Sequence, residues 1–200
     1  MRRRTPRATG ALAGVAIVAF MTGCQTGQRP SLGPAPVDSD DPNVDAVVER
    51  LEPDTAAGFH AEYRITAPGG SETTATVDHG GAEARTVTIA EVRYEFDGEQ
   101  TSTCDTAGAC RPGIDAQALS EFGLSPTFYG PAAAARLRRD AGIRVGPTTA
   151  STETIAGQTA TCVTVPIADT ASVFCALDGG PLARWRSTDV TIELTAFATA

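Results

Sequence analysis

The two histidines are the side chains of this sequence best suited to acid–base chemistry. His79 directly follows Asp78 and precedes two glycines, the one point where an acid and a histidine are neighbours. Adjacency does not make a catalytic pair, because such a pair is defined by geometry. His60 falls on the polar positions of an alternating run, so we expect it in solvent. The usual metalloprotease, nucleophile-elbow and phosphate-loop motifs are absent. The sequence therefore predicts no enzyme.

Four of the five cysteines fall into two local pairs. Cys104 lies close to Cys110, and Cys162 lies close to Cys175. Four cysteines allow three connectivities, and this grouping favours bonding within each pair. Neither spacing matches the short gaps of a structural zinc site. We predict two disulfides, as expected of an exported protein, and no metal or other cofactor.

The fifth cysteine, Cys24, ends a pattern that is typical of a secretory signal peptide. A basic start is followed by the apolar run Ala11–Phe20 and by small residues. Met21-Thr22-Gly23-Cys24 resembles the lipobox of bacterial lipoproteins, with Met21 where leucine is usual. The resemblance implies removal of residues 1–23 and acylation of Cys24, which would anchor the protein to the outer face of the cell membrane.

The alternative interpretation of this segment is a transmembrane helix in which Cys24 is an ordinary residue. A spanning helix needs roughly 20 predominantly apolar residues, and glycines at positions 10, 14 and 23 make this run marginal. The lipoprotein interpretation is favoured. The export route, general secretion or twin-arginine, stays open.

The charge of the chain excludes some partners. Every basic residue is arginine, four of the 16 precede Cys24, and all 24 acidic residues follow it, which leaves a net charge near −12 from Cys24 onward. Nucleic acid is not an expected partner, since its phosphates need a basic surface. Attachment to an anionic membrane would likewise depend on the acyl chains.

Composition divides the chain into three parts. Residues 24–42 are rich in Gly, Pro, Ser and Asp and predict a flexible tether. Residues 43–200 are numerous enough for a single domain with its own core. With the signal peptide over residues 1–23, this gives signal peptide, tether and domain in that order.

Within the domain, alternating apolar and polar residues predict an antiparallel sheet with one wet face. A helix opening at Pro42-Asn43, with Asp41 or Asn43 as its cap, precedes the strands. Two more helices, Asp115–Phe122 and Pro131–Gly142, interrupt them. The predicted strands are Phe59–Thr66, Thr73–Val77, Thr86–Ala90, Val92–Asp97, Gln100–Cys104, Ile143–Val145, Thr152–Ile155, Thr159–Ile167, Ser172–Leu177, Leu182–Arg186 and Val190–Ala198.

Two further features are compatible with both a structural and a functional role. Arg136, Arg138 and Arg139 form the one basic cluster of the acidic domain. Such cations complement a helix C-terminus; alternatively, they contact an anionic head group or a partner. Trp185, between two arginines, is expected in the core rather than on a surface platform.

Three phrases carry a resemblance over about residues 43–200: TVTIAEVRYEFDGEQTSTC before the helices, ETIAGQTATCVTV after them, and the closing LARWRSTDVTIELTAFATA. With the lipobox and tether, this order of elements resembles the actinobacterial LolA-like lipoproteins, the group of the mycobacterial LprG and LppX lipoproteins. The resemblance implies an α+β fold in which a curved antiparallel half-barrel carries an N-terminal helix and a helical insertion on its concave face. It also implies non-enzymatic binding or transfer of a lipid or other hydrophobic ligand.

The family's apolar cavity lies between sheet and helices. Carried over, it would be lined from the sheet by Tyr63, Ile65, Tyr94 and Phe96, and from the helical lid by Ile114, Leu119, Phe122 and Phe128. A cavity and a packed core have the same binary pattern. The alternative is therefore a protein-interaction or sensory module of the cell envelope, with a filled core and no ligand. The sequence identifies neither its protein partner nor its oligomeric state.

Overall fold

One antiparallel sheet of eleven strands organises the part of the chain that the structure describes. The computed structural model describes residues 39–52, 57–81, 84–117, 119–120 and 123–200. The predictions for the signal peptide, Cys24, most of the tether and Phe122 lie outside these residues. The elements are α1 (Pro42–Leu51), β1 (Phe59–Thr66), β2 (Glu72–His79), β3 (Ala84–Ile89), β4 (Val92–Asp97), β5 (Gln100–Cys104), β6 (Cys110–Pro112), α2 (Pro131–Gly142), β7 (Thr149–Ile155), β8 (Gln158–Ile167), β9 (Thr170–Leu177), β10 (Leu182–Arg186) and β11 (Thr191–Thr199).

The strand order is β6-β5-β4-β3-β2-β1-β11-β10-β9-β8-β7. Strands that are adjacent in sequence pair with each other, except β6 and β7, and β1 also pairs with β11 at the middle of the sheet. The sheet is open and curved, with β6 and β7 at its edges. The described residues between β6 and α2, which are largely turns, and then α2 connect these two edges. The predicted class, α+β with a curved antiparallel sheet, an N-terminal helix and a helical insertion, is confirmed.

Both helices pack on the β8–β9 half of the sheet and against each other. The Asp41 carboxylate caps α1 by accepting the Asn43 N–H at 3.0 Å. The buried face of α1 follows helical spacing with Val44, Val47, Val48 and Leu51. Small residues of α2, among them Ala133 and Ala134, allow a close approach to the sheet. None of the described helices is long and apolar enough to span a bilayer.

The predicted helix Asp115–Phe122 is wrong over the residues described there, which form turns. The Thr103 hydroxyl of β5 donates to the Gly113 carbonyl at 2.8 Å and accepts the Asp115 N–H at 2.9 Å. The Asp115 carboxylate then accepts the Gln117 N–H at 3.0 Å. These side chains hydrogen-bond to the backbone and so compete with the backbone hydrogen bonds of a helix.

The predicted strand Ile143–Val145 is also wrong. Ile143 caps the C-terminus of α2, and residues 143–148 form a turn and a connection to the edge strand β7. Ile143 and Val145 are 59% and 65% exposed. Their apolar character predicted a strand, but these residues follow directly on the end of α2, and the backbone there forms a turn.

Aromatic residues and the Cys162–Cys175 pair lie in the buried interior, whereas Cys110 of the other pair is exposed. Phe128 meets the Tyr63 ring edge-on, with 5.0 Å between centroids, and Trp185 stacks on Phe174. Trp185 is buried, which confirms its predicted place in the core. Each predicted cysteine pair is at disulfide distance and joins directly opposite residues. These are Cys104 with Cys110 across β5–β6, and Cys162 with Cys175 across β8–β9.

Candidate functional site

A partly open pocket of about 340 Å³ lies where the C-terminal end of α1 meets the start of β1, the end of β2 and the start of β3. The turn before α2 and the β9–β10 turn complete its wall. Its apolar lining includes Leu51, Phe59 and Pro181, and its polar lining includes His79, Arg85 and Tyr129. An apolar wall with a few polar groups is the usual character of a ligand site.

A single cross-strand row builds one wall. Phe59 opens β1 and lies opposite His79, the last residue of β2, which in turn lies opposite Arg85 in β3. Arg85 lies opposite Phe96 of β4. Directly opposite residues point to the same face of a sheet, so all four side chains lie together. The Phe59 and His79 rings stack at 5.0 Å, and the Arg85 guanidinium carbon lies 4.4 Å from the centre of the Phe96 ring.

Tyr129 comes from the turn that precedes α2. Its ring meets Phe59 edge-on at 6.0 Å and His79 at 6.3 Å. The Tyr129 carbonyl accepts the Leu182 N–H at 2.6 Å, which fixes this turn to β10. The next residue is Gly130, where an added Cβ would lie only 3.0 Å from the Leu51 carbonyl oxygen. The absence of a side chain therefore lets the turn approach the end of α1.

Besides Glu52, the ionisable groups that line the pocket are one cation and two neutral donors. Burial and the Arg85 charge lower the pKa of His79. Because His79 Nδ1 accepts the Gly81 N–H at 3.2 Å, its neutral ring carries the proton on Nε2. Burial raises the pKa of Tyr129, and the nearby Arg85 charge opposes that shift. Both groups are thus uncharged hydrogen-bond donors near neutral pH.

The one carboxylate that lines this pocket does not neutralise Arg85. Glu52 instead receives two hydrogen bonds from Arg138, one of them at 3.1 Å. Arg85 forms no ion pair with the described residues, and its Nε is buried without a hydrogen-bond partner. With Glu52 bound by Arg138, the Arg85 guanidinium is the charged group of the pocket that lacks an ion pair among the described residues.

The residues proposed from the sequence as cavity lining lie elsewhere. Most of them pack against one another in the core: Tyr63, Ile65, Tyr94, Leu119 and Phe128. Phe96 is buried beneath the Arg85 guanidinium at the end of the row. Ile114 is 44% exposed and lies outside the described helices. It lies in the turn region whose backbone hydrogen-bonds to Thr103 instead of forming a helix.

Sequence reasoning did not single out Phe59, Arg85 or Tyr129 as site residues. For Arg85 a signal was available. It lies two and four positions before Val87 and Ile89, so strand alternation assigns it to the buried face. His79 likewise follows Val77 by two positions. An arginine and a histidine at inward-facing positions on adjacent strands indicate a polar site at the sheet's rim.

Asp78 and His79 do not form a pair. Asp78 points to the outer face, where its carboxylate lies 2.6 Å from His60 Nδ1. His60 also approaches Glu62 at 3.5 Å, and its predicted exposure is confirmed, since its side chain is 45% exposed. The Asp78 hydrogen bond is the main cause that raises the His60 pKa. This cluster is separated from the pocket by the thickness of the sheet.

The arginine cluster of α2 is engaged within the domain. Arg136 pairs with the buried Asp140 at 2.8 Å and with Asp189 at 3.1 Å, and Arg138 binds Glu52. Arg139 lies in the last turn of α2, as a cation that complements the helix C-terminus. These contacts agree with the structural interpretation of the cluster.

The described residues form an α+β fold, in which an open antiparallel sheet carries two helices on one half and a pocket at its rim. No family model and no curated protein matches the sequence. Solved structures similar to 79% of this chain include a crystal structure of MucB (TM-score 0.44, 19% identity) and one of MucB in complex with MucA(peri) (TM-score 0.41, 14% identity). The chain spans 59% and 54% of those chains, little more than half their length.

A third similar structure is the LolA superfamily protein NE2245 from Nitrosomonas europaea, with TM-score 0.33 and 10% identity. The match covers 79% of this chain and 92% of that one. NE2245 is described as a member of the LolA superfamily, and the sequence resemblance is also to LolA-like proteins. With TM-scores below 0.5, these structures carry no argument about function.

Proposed function

We propose that this protein is a non-enzymatic binding protein that holds a hydrophobic ligand in the rim pocket. The observation that carries the proposal is the pocket itself, about 340 Å³ in volume and walled by Leu51, Phe59, Tyr129 and Pro181. Small-molecule sites commonly measure about 300–1,000 Å³ and combine apolar walls with a few polar groups. The pocket is at the small end of that range, so a ligand with one chain or one ring system fits it better than a multi-chain lipid.

A binding role also agrees with how the acid–base groups are distributed. His79 lines the pocket without a carboxylate partner among the described residues, and its Nδ1 is occupied by the Gly81 N–H. The His60–Asp78 pair lies on the outer face. A general base needs to reach the proton that it abstracts, and neither histidine is arranged for that in the pocket.

We place this binding protein at the outer face of the cell membrane, held by acyl chains on Cys24. The support is the sequence order of a basic start, an apolar run, small residues and cysteine. Residues 24–42 would then act as the tether between the anchor and the domain. An apolar ligand suits a domain held beside a membrane, because a bilayer can supply or receive such a molecule.

The experiment is a blocked-pocket comparison by native mass spectrometry with dodecanol as the ligand. Gly180 lines the pocket, and a Cβ there meets its nearest atoms at 3.7 Å, so Gly180→Trp can fit and fill the pocket. Gly69→Trp is the matched control, in a turn where nothing lies within 4 Å of an added Cβ. We expect a dodecanol adduct on the unmodified domain and on Gly69→Trp, and none on Gly180→Trp.

Failure of all three proteins to bind dodecanol or any added single-chain amphiphile would refute the proposal. The rival function, a protein-interaction or sensory module with no ligand, would then be preferred. An adduct that survives in Gly180→Trp would show that the ligand binds outside this pocket.

A further inference from the structure

We infer that the rim pocket selects amphiphiles with an anionic head group, a carboxylate or a phosphate, which Arg85 binds together with the Tyr129 hydroxyl and His79 Nε2. This inference rests on the proposed function, since it specifies the ligand of the same pocket. Three observations carry it: a cation without an ion pair among the described residues, a buried hydroxyl without a hydrogen bond of normal geometry to them, and an imidazole whose Nδ1 accepts the Gly81 N–H.

The first observation is the state of Arg85. Charged side chains that are withdrawn from water are normally paired, because desolvation of an unpaired charge is costly. Arg85 is partly buried, its Nε is fully buried, and no described residue accepts a hydrogen bond from that nitrogen or forms an ion pair with it. An anionic group from outside the chain would supply the missing partner.

The guanidinium is also held in one place. Its carbon lies 4.4 Å from the centre of the Phe96 ring, within the range of a cation–π contact. The backbone of Arg85 is fixed because its strand, β3, pairs with β2 on one side and with β4 on the other. A planar guanidinium presents a fork of donors that matches carboxylate and phosphate oxygens. Fixing the fork beforehand lowers the entropy cost of binding.

The second observation is the Tyr129 hydroxyl. Tyr129 is only 4% exposed, its ring lines the pocket, and its hydroxyl, although close to Arg85, forms no hydrogen bond of normal geometry with the described residues. Buried hydroxyls are normally hydrogen-bonded. Burial keeps the phenol protonated by raising its pKa. The hydroxyl can therefore donate to an anion, and a ligand oxygen would satisfy it.

The third observation is that His79 adds a donor without adding a competing charge. Its Nδ1 is committed to the Gly81 N–H at 3.2 Å, which leaves the proton on Nε2. The Phe59 ring stacks on the imidazole and holds its plane. Glu52, the acid at the pocket's lining, is neutralised by Arg138 and does not repel an anion. The ligand's tail would then lie on the apolar wall of Leu51, Phe59 and Pro181.

The test compares three ligands that share a twelve-carbon chain and differ only in head group: laurate, dodecyl phosphate and dodecanol. They are titrated below their micelle-forming concentrations into the full chain carrying Cys24→Ala, so that no acyl chain competes for the pocket. We expect at least one anionic ligand to bind tenfold or more tighter than dodecanol. The order of laurate and dodecyl phosphate identifies the head group.

Variants assign the preference to the proposed residues. Arg85→Gln is expected to weaken anion binding about tenfold while dodecanol binding changes less than twofold, and Tyr129→Phe is expected to weaken anion binding a fewfold. Arg64→Gln is the matched control: Arg64 is exposed on the outer face of β1, and its loss should leave all three affinities unchanged. Thermal unfolding of each variant checks that the fold is retained.

The possible failures are distinguishable. If the wild-type pocket binds dodecanol as tightly as both anions, the head-group inference is overturned and the proposed function stands. If Arg85→Gln and Tyr129→Phe keep the full anion preference, the anion site lies elsewhere and the inference is again overturned. If no ligand binds at all, the proposed function itself fails.

Discussion

Replacement of Phe128 by alanine tests whether the interior beneath α2 is packed or hollow. Phe128 is fully buried, and its ring contacts the Tyr63 ring edge-on at 5.0 Å and the Tyr129 ring at 5.9 Å. In a packed core, Phe→Ala removes the transfer free energy of the ring and leaves a cavity, at a cost of about 3–5 kcal/mol. For a domain of this size each kcal/mol lowers Tm by roughly 2–4 °C. We therefore expect Phe128→Ala to lower Tm by about 6–20 °C.

The measurement is urea or thermal unfolding followed by circular dichroism, with Phe197→Ala as the matched control. Phe197 is only partly buried, at the edge of the same core, so its removal should cost clearly less. A loss below about 1.5 kcal/mol for Phe128→Ala, well under the cost of a packed phenylalanine, would contradict the reasoning. It would mean that the ring borders open space, and the apolar cavity expected around Tyr63 and Phe128 would regain support.

Three further outcomes are expected. His60→Asn should destabilise the domain at pH 5.5 but little at pH 8, as measured by thermal unfolding at each pH. The raised His60 pKa contributes stability that is present below pH 6.5, the pKa of a free histidine, and is lost as the pH rises through the raised pKa. Equal losses at both pH values would contradict this. Cys162→Ala with Cys175→Ala should cost about 3 kcal/mol in urea unfolding by the chain-entropy estimate for a loop of this length, and an unchanged midpoint would refute that role. Cys24→Ala should move the protein from the membrane fraction to the soluble fraction in an immunoblot, whereas retention would favour a spanning anchor.

Strand alternation was sufficient to predict most of the sheet because its cause is local. In β1, every second residue from Phe59 to Ile65 is buried, as the sequence indicates. The errors arose where a distant residue decides the backbone. Thr103 of β5 fixes the turn at Gly113 and Asp115, and no pattern within residues 113–122 records that contact.

The pocket was not predicted because it depends on three-dimensional proximity. Phe59 and Tyr129 are distant in sequence, and they meet only because β1 lies at the centre of the sheet and the Tyr129 carbonyl binds the Leu182 N–H. The family resemblance implied a cavity between sheet and helices, and two of its expected lining residues, Tyr63 and Phe128, contact each other edge-on. Binary patterning identifies inward-facing residues, whereas cavity position depends on which of them meet.

The position of Arg85 at the rim follows from the cost of burying a charge. Deeper in the same strand, Val87 and Ile89 occupy the inward face, where a guanidinium would be fully desolvated. One residue of slip in β3 would turn Arg85 outward and Thr86 inward, and the two buried apolar residues prevent that slip. The register that stabilises the core therefore also places the cation in the pocket. For this reason, substitutions at Val87 should impair anion binding through the register, even though Val87 does not line the pocket.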